Sequence, residues 1–189
     1  MDYLFRMTKA NIENFAILDF EASSLSQESW PIEVGLSWIA HGHVQTWSSL
    51  IQPSPTWNLD DWSIQSAAIH GILFSKLAGA PPPGEVAETL LNVLGRRRLV
   101  SDAVEFEERW LARLMEAAGR SDVPNIEDFD AVSFAAYRGY ALDILYESVE
   151  RRPAPHRAGP DTARLARGWL RANQHKASLE FEGGITCQK

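Results

Sequence analysis

Phe15-Ala-Ile-Leu-Asp-Phe-Glu-Ala22 sets the architecture. The run is short and apolar, so a buried strand is expected where a helix of that length would be marginal. Asp19 and Glu21, its two polar residues, stand two positions apart and so share one face near the strand's C-terminal end. Two carboxylates side by side repel each other, and a cation between them removes that cost. A solvated strand end removes it too, so the pair alone leaves both readings open.

Ser23 to Pro31 reads as a polar loop. Ile32 to Ala40 and Val44 to Ile51 alternate and are rich in branched and aromatic residues, with His41-Gly42-His43 between them, which predicts an antiparallel meander built on the first strand. A Pro- and Trp-rich stretch, Gln52 to Asp61, leads to a helical turn over Ser63 to Ala68 and the tripeptide Ile69-His70-Gly71. Pro81 to Gly84 breaks the chain. Glu85 to Gly95 then carries Val86, Leu90, Leu91 and Leu94 at helical spacing and ends on glycine. Leu99-Val100-Ser101 is a buried strand.

Asp102 is placed to cap a helix running to about Ala118, with Glu105 completing a capping box. Ala103, Phe106, Trp110 and Leu114 define that helix's buried stripe, and Glu107 falls inside it. A carboxylate aimed at the core needs a metal or an arginine partner. Val123 to Val132 reads as loop with a short strand. Ser133 to Glu150 is expected as one long helix with Phe134, Tyr137, Ala141, Leu145 and Val149 on its apolar stripe, broken by Pro153 and Pro155. In His156-Arg-Ala-Gly-Pro-Asp161 a loop histidine precedes, by five positions, an acid at the start of a last helix, Asp161 to Arg171. Either residue alone has an ordinary reading, Asp161 as a cap above all; their coincidence with the acids at the other end of the chain raises both. Three strands, a helix, a strand and further helices imply an α/β fold with a mixed sheet flanked by helices.

The 189 residues, 45% of them hydrophobic, suffice for one core, so a single domain over 1–189 is expected, with its core over 15–172 and a C-terminal tail over 173–189. Seven Trp exclude a disordered chain. The single Cys, Cys187, excludes an intramolecular disulfide. Asp2, Lys9 and Glu13 interrupt Met1 to Asn14 and deny it the apolar core of a secretory signal, and no apolar run reaches membrane-spanning length. A soluble, cytoplasmic protein is expected. A net charge of −7 excludes a general coating protein for nucleic acid, yet leaves room for an enzyme that holds cations with local acid. Between Arg151 and Lys176 the balance reverses, with Asp161 the only acid.

Together these segments resemble the motifs of the DEDDh 3′-5′ exonucleases, the DnaQ-like and ribonuclease T-like enzymes of the ribonuclease-H-like fold. Ile17-Leu-Asp-Phe-Glu-Ala-Ser23 resembles the first motif, Leu99 to Glu107 the second and His156 to Asp161 the third, while Ile69-His70-Gly71 resembles a segment between the first two. The resemblance covers about Phe15 to Leu170. It implies a five-stranded mixed sheet and two-metal hydrolysis at the 3′ end of nucleic acid, single-stranded by expectation. Asp19, Glu21, Asp161 and Glu107 or Asp102 would be ligands of two Mg²⁺ or Mn²⁺ ions, and His156 the general base. Ala22, Ser23, Leu25, His70, Gly71 and Ile72 flank that site as candidate contacts for the terminal nucleotide. A homodimer is implied as well.

One departure matters. The second motif of these enzymes ends in Phe-Asp preceded by an Asn, whereas Ala103 and then Phe106-Glu107 stand here. Glu107 has a methylene more, and Asp102 is the alternative ligand. If neither coordinates, a weakened relative that binds nucleic acid or protein is the rival reading; a phosphodiesterase for dinucleotides or other small phosphate compounds is another.

Overall fold

The computed structural model describes residues 11–184. Five strands, β1 (Phe15–Ala22), β2 (Pro31–Ala40), β3 (His43–Leu50), β4 (Arg98–Ser101) and β5 (Ile126–Asp128), form one sheet in the order β3-β2-β1-β4-β5. The β1-β2 and β2-β3 pairs are antiparallel, while β1-β4 and β4-β5 are parallel. This is the expected mixed sheet. The β2-β3 hairpin turns on His41 and Gly42, with φ of 53° and 74°. Two successive positive φ values match the right-handed twist of the flanking strands.

The helices are α1 (Ile64–His70), α2 (Phe74–Leu77), α3 (Pro83–Leu94), α4 (Val104–Ala117), α5 (Phe129–Ala136), α6 (Tyr140–Glu150) and α7 (Ala158–Gly184). Alternation along β1 divides the core. Ala16, Leu18, Phe20 and Ala22 pack with α3 and α4, whereas Phe15 and Ile17 pack with α5, α6 and α7. Asp19 and Glu21 continue the second set and therefore face the start of α7. No helix among the described residues is long and apolar enough to cross a membrane.

Four expectations need correction. The helix expected over Ser133 to Glu150 is two helices. Tyr137 leaves the helix in extended conformation, its hydroxyl donating to the Trp169 carbonyl at 2.9 Å, and Gly139 turns the chain with a φ of 56°. Phe134 is consequently 55% exposed instead of lying on an apolar stripe. Second, α4 has no side-chain cap: Ala103 stands at its N-cap, and neither Asp102 nor Glu105 forms the capping box. Third, Ala103 and Phe106 are exposed; the buried stripe is Glu107, Trp110, Leu111, Leu114 and Met115. Fourth, the last helix starts at Ala158 and runs to Gly184, through most of the segment expected as a tail. Residues 1–10 and 185–189, Cys187 among them, lie outside the described residues.

One face of β2 bears small or polar residues, Glu33, Gly35 and Ser37, all buried. Their alternation with Ile32, Val34 and Leu36 reads as a solvent face, yet the first turns of α7 cover it. A Cβ on Gly35 would stand 2.3 Å from the Ala158 carbonyl carbon, so only glycine lets the helix come so close. Ser37 Oγ lies 2.9 Å from Thr162 Oγ1 across the same contact.

Candidate active site

The parallel register Ile17↔Val100 sets Asp19 level with Asp102, just beyond the C-terminal end of β4. In sheets of this kind ligands bind outside the carboxyl ends of strands. A cavity of ≈ 400 Å³ opens there, lined among others by Asp19, Glu21, Asp102, Glu107, His156 and Asp161. All five acids and the imidazole singled out from the sequence thus reach one cavity, from β1, the end of β4, α4, the loop before α7 and the first turn of α7.

Ligand oxygens of Asp19, Glu21 and Asp161 lie within 4.8 Å of one another. Burial and this crowding raise the pKa of Asp19 and of Glu21. Burial, followed by the charges of Glu21, Asp161, Asp102 and Glu33, holds the Asp19 carboxyl well above its ordinary value. Burial and then Glu33 and Asp161 push Glu21 up to about 7, opposed by Arg157. Glu107 is raised by burial first and Asp19 second, and the Phe20 backbone N–H opposes the rise. Asp102 is raised mainly by burial. Glu107 Oε2 and Asp161 Oδ1 are buried without a hydrogen-bond partner, although Arg164 Nε stands 3.6 Å from the latter.

A carboxyl whose folded-state pKa is raised contributes stability that is complete below its unfolded value and lost as the pH climbs through the folded one. For Glu21 that window runs from 4.5 to about 7, and Asp19 and Glu107 act in the same direction. In chelator, the melting temperature is expected to fall as pH rises through this window. A melting temperature that climbs steadily from pH 5 to pH 8 would contradict this electrostatic picture.

His156 is exposed and takes a φ of 54°, a left-handed conformation that costs a residue with a Cβ about 1 kcal/mol. The Arg157 N–H donates to Asp161 Oδ2 at 3.0 Å, orienting that carboxylate from its own loop. Arg157 also grips Glu33, with Nε to Oε2 at 2.9 Å and Nη2 to Oε1 at 2.6 Å, and the Ala158 N–H donates to Oε2 at 3.0 Å.

Of the candidate nucleotide contacts, Ala22, Leu25 and His70 line the cavity. Ser23, Gly71 and Ile72 stand behind it. Ser23 Oγ accepts from the Trp30 N–H, Gly71 is the left-handed C-cap of α1, and Ile72 is buried in the core. His70 Nδ1 accepts from the Ile72 N–H at 3.0 Å, which leaves the proton of the neutral ring on Nε2; that atom is buried without a partner. Burial lowers the His70 pKa and favours this neutral form. Sequence reasoning missed Phe106 as a lining residue and passed over Glu33 altogether. Phe106, 38% exposed beside Trp110 and under the Arg109 guanidinium, was hidden by a helical spacing that equally suits the core.

No family model and no curated protein matches the sequence. Solved structures do match in fold. The nuclease domain of 3′hExo, a DEDDh family member bound to rAMP, superposes with a TM-score of 0.63 at 16% identity, over 85% of this chain and 92% of that one. Exonuclease X in complex with 5′ overhanging duplex DNA gives 0.54 at 20% identity, over 86% and 93%. Exonuclease I of E. coli with a dA16 oligonucleotide gives 0.63 at 12% identity, over 87% of this chain but 42% of that one. The mixed five-stranded sheet with its flanking helices is the ribonuclease-H-like fold that these 3′ exonucleases share.

Proposed function

We propose that this protein is a divalent-metal-dependent 3′-5′ exonuclease that hydrolyses the terminal phosphodiester bond of a single nucleic-acid strand. The carrying observation is the convergence of Asp19, Glu21 and Asp161, with ligand oxygens within 4.8 Å, in one cavity with Asp102, Glu107 and His156. The donor set fits a hard cation: it consists of carboxylate oxygens, two of which are buried without a hydrogen bond, and a cation relieves the like-charge crowding that, after burial, raises Asp19 and Glu21. Asp19, Glu21, Asp161 and Glu107 or Asp102 would hold two Mg²⁺ or Mn²⁺ ions, which when bound acidify a water and neutralise charge on the departing 3′ oxygen. The Phe20 backbone N–H leaves Glu107 with one oxygen to spare, which favours Glu107 over Asp102 as the second-motif ligand.

His156 takes the proton from the attacking water, and its place on an exposed loop lets that proton leave to solvent. Leu25, Ile69 and Phe106 offer the terminal base an apolar platform, and His70, a lining residue whose Nε2–H has no hydrogen-bond partner, would supply the nucleotide a donor.

Digestion of matched 3′-labelled RNA and DNA, single- and double-stranded, with Mg²⁺ and with Mn²⁺, tests the reading. Stepwise metal-dependent loss of the label is expected, fastest on single strands. Binding without digestion would assign the chain to the weakened relatives, and faster turnover of a dinucleotide than of a long strand would make it a phosphodiesterase of small compounds. In the same assay Phe106→Ala is expected to raise KM roughly tenfold, in keeping with about 1–3 kcal/mol for a stacked base. An unchanged KM would remove Phe106 from the platform.

A further inference from the structure

We infer that Glu33 is a positioning residue, whose carboxylate latches the segment carrying His156 and Asp161 onto the sheet so that imidazole and third acid arrive together beside Asp19 and Glu21. The inference rests on the nuclease reading above and deepens it. Glu33 is 3% exposed, and every hydrogen-bond partner of its carboxylate among the described residues lies just after His156: Nε and Nη2 of Arg157 and the backbone N–H of Ala158. A buried carboxylate is tolerated only when so paired.

For packing alone it is a poor choice. The β1-β2 register sets Glu33 directly opposite Glu21, and like charges across a strand pair are destabilising. An apolar residue would fill the space without that repulsion. What Glu33 adds is direction.

His156 holds a left-handed φ that persists only when its surroundings over-determine it. The next two backbone N–H groups supply that constraint, Arg157 through Asp161 Oδ2 and Ala158 through Glu33 Oε2. Gly35 makes the latch short, because the absence of a Cβ lets Ala158 and Gly159 press against β2. Asp161 is fixed by the same turn, with one oxygen committed to the loop and the other free of hydrogen bonds, 3.6 Å from Arg164 Nε.

The test uses the full chain as Glu33→Gln, Arg157→Ala and the double variant. Three quantities are read: hydrogen exchange of the Arg157 and Ala158 amides in chelator, calorimetric affinity for Mn²⁺ alone, and kcat and KM on a single-stranded oligonucleotide. Each single variant is expected to speed exchange at those amides at least about tenfold and to weaken Mn²⁺ binding about tenfold. kcat should fall roughly a hundredfold, the usual effect of misplacing a group by an ångström, with KM within about twofold. The double variant should be no worse than the worse single, since both residues act through one contact.

Unchanged exchange and unchanged Mn²⁺ affinity in Glu33→Gln would overturn the inference. So would a loss of activity that merely follows the unfolded fraction while the folded protein binds Mn²⁺ as the parent does. Arg157, with 42% of its side chain exposed, guards against a variant that fails to fold. A parent protein inert toward 3′ ends would sink the nuclease reading alone, and the latch would then stand or fall on amide exchange.

Discussion

An Asp19→Asn protein is expected to release 3′ nucleotides at least about a thousandfold more slowly than its parent, a loss of ~4 kcal/mol in transition-state stabilisation. Asp19 is the residue on which the other acids converge: Glu21, Asp161, Asp102 and Glu33 all raise its pKa. The same substitution is expected to make the metal-free protein more stable, because the amide keeps the shape and removes a charge that burial and four acids disfavour. Activity down, apo stability up and the stabilisation by Mg²⁺ lost is a combination that mere misfolding cannot produce. Stepwise melting in chelator and in millimolar Mg²⁺, beside the digestion assay, reads all three. A variant that melts below the parent in chelator would show that Asp19 serves the fold and not a cation.

Removing the imidazole is the second large effect. His156→Ala should lower kcat by about 10²- to 10⁴-fold with Mn²⁺ affinity retained, the range for loss of a general base. His156→Gly should lose as much rate and yet melt higher than the alanine variant, since glycine adopts the φ of 54° without the strain that any Cβ brings. A kcat within fivefold of the parent in either variant would leave the loop histidine without a role in proton transfer.

The sheet was legible because its signals are local. Alternation in β2 and β3, the His41-Gly42 turn and the apolar run of β1 each specify their own stretch of chain. Asp19 and Glu21 were legible for the same reason, being polar residues at strand spacing in an apolar segment. What sequence could not supply depends on which element covers which face. Glu33, Gly35 and Ser37 look like a wetted face until α7 lies on them. Phe106 looks like core until α4 is seen to turn it toward the cavity. The break between α5 and α6 was hidden because Tyr137 fits a helical stripe by spacing, whereas the bond from its hydroxyl to Trp169 draws it out of the helix.

The cluster also joins elements far apart in the sequence, β1 and α7. Asp19 and Glu21 belong to β1, the first strand among the described residues, and Asp161 to α7, their last helix. A nascent polypeptide therefore carries two of the three clustered acids long before the third exists, and the face of β2 that α7 will cover stays bare until then. Translation, at about 5–20 residues per second, imposes a delay of many seconds. Whatever chemistry the cluster supports can therefore begin only when α7 has docked on the sheet.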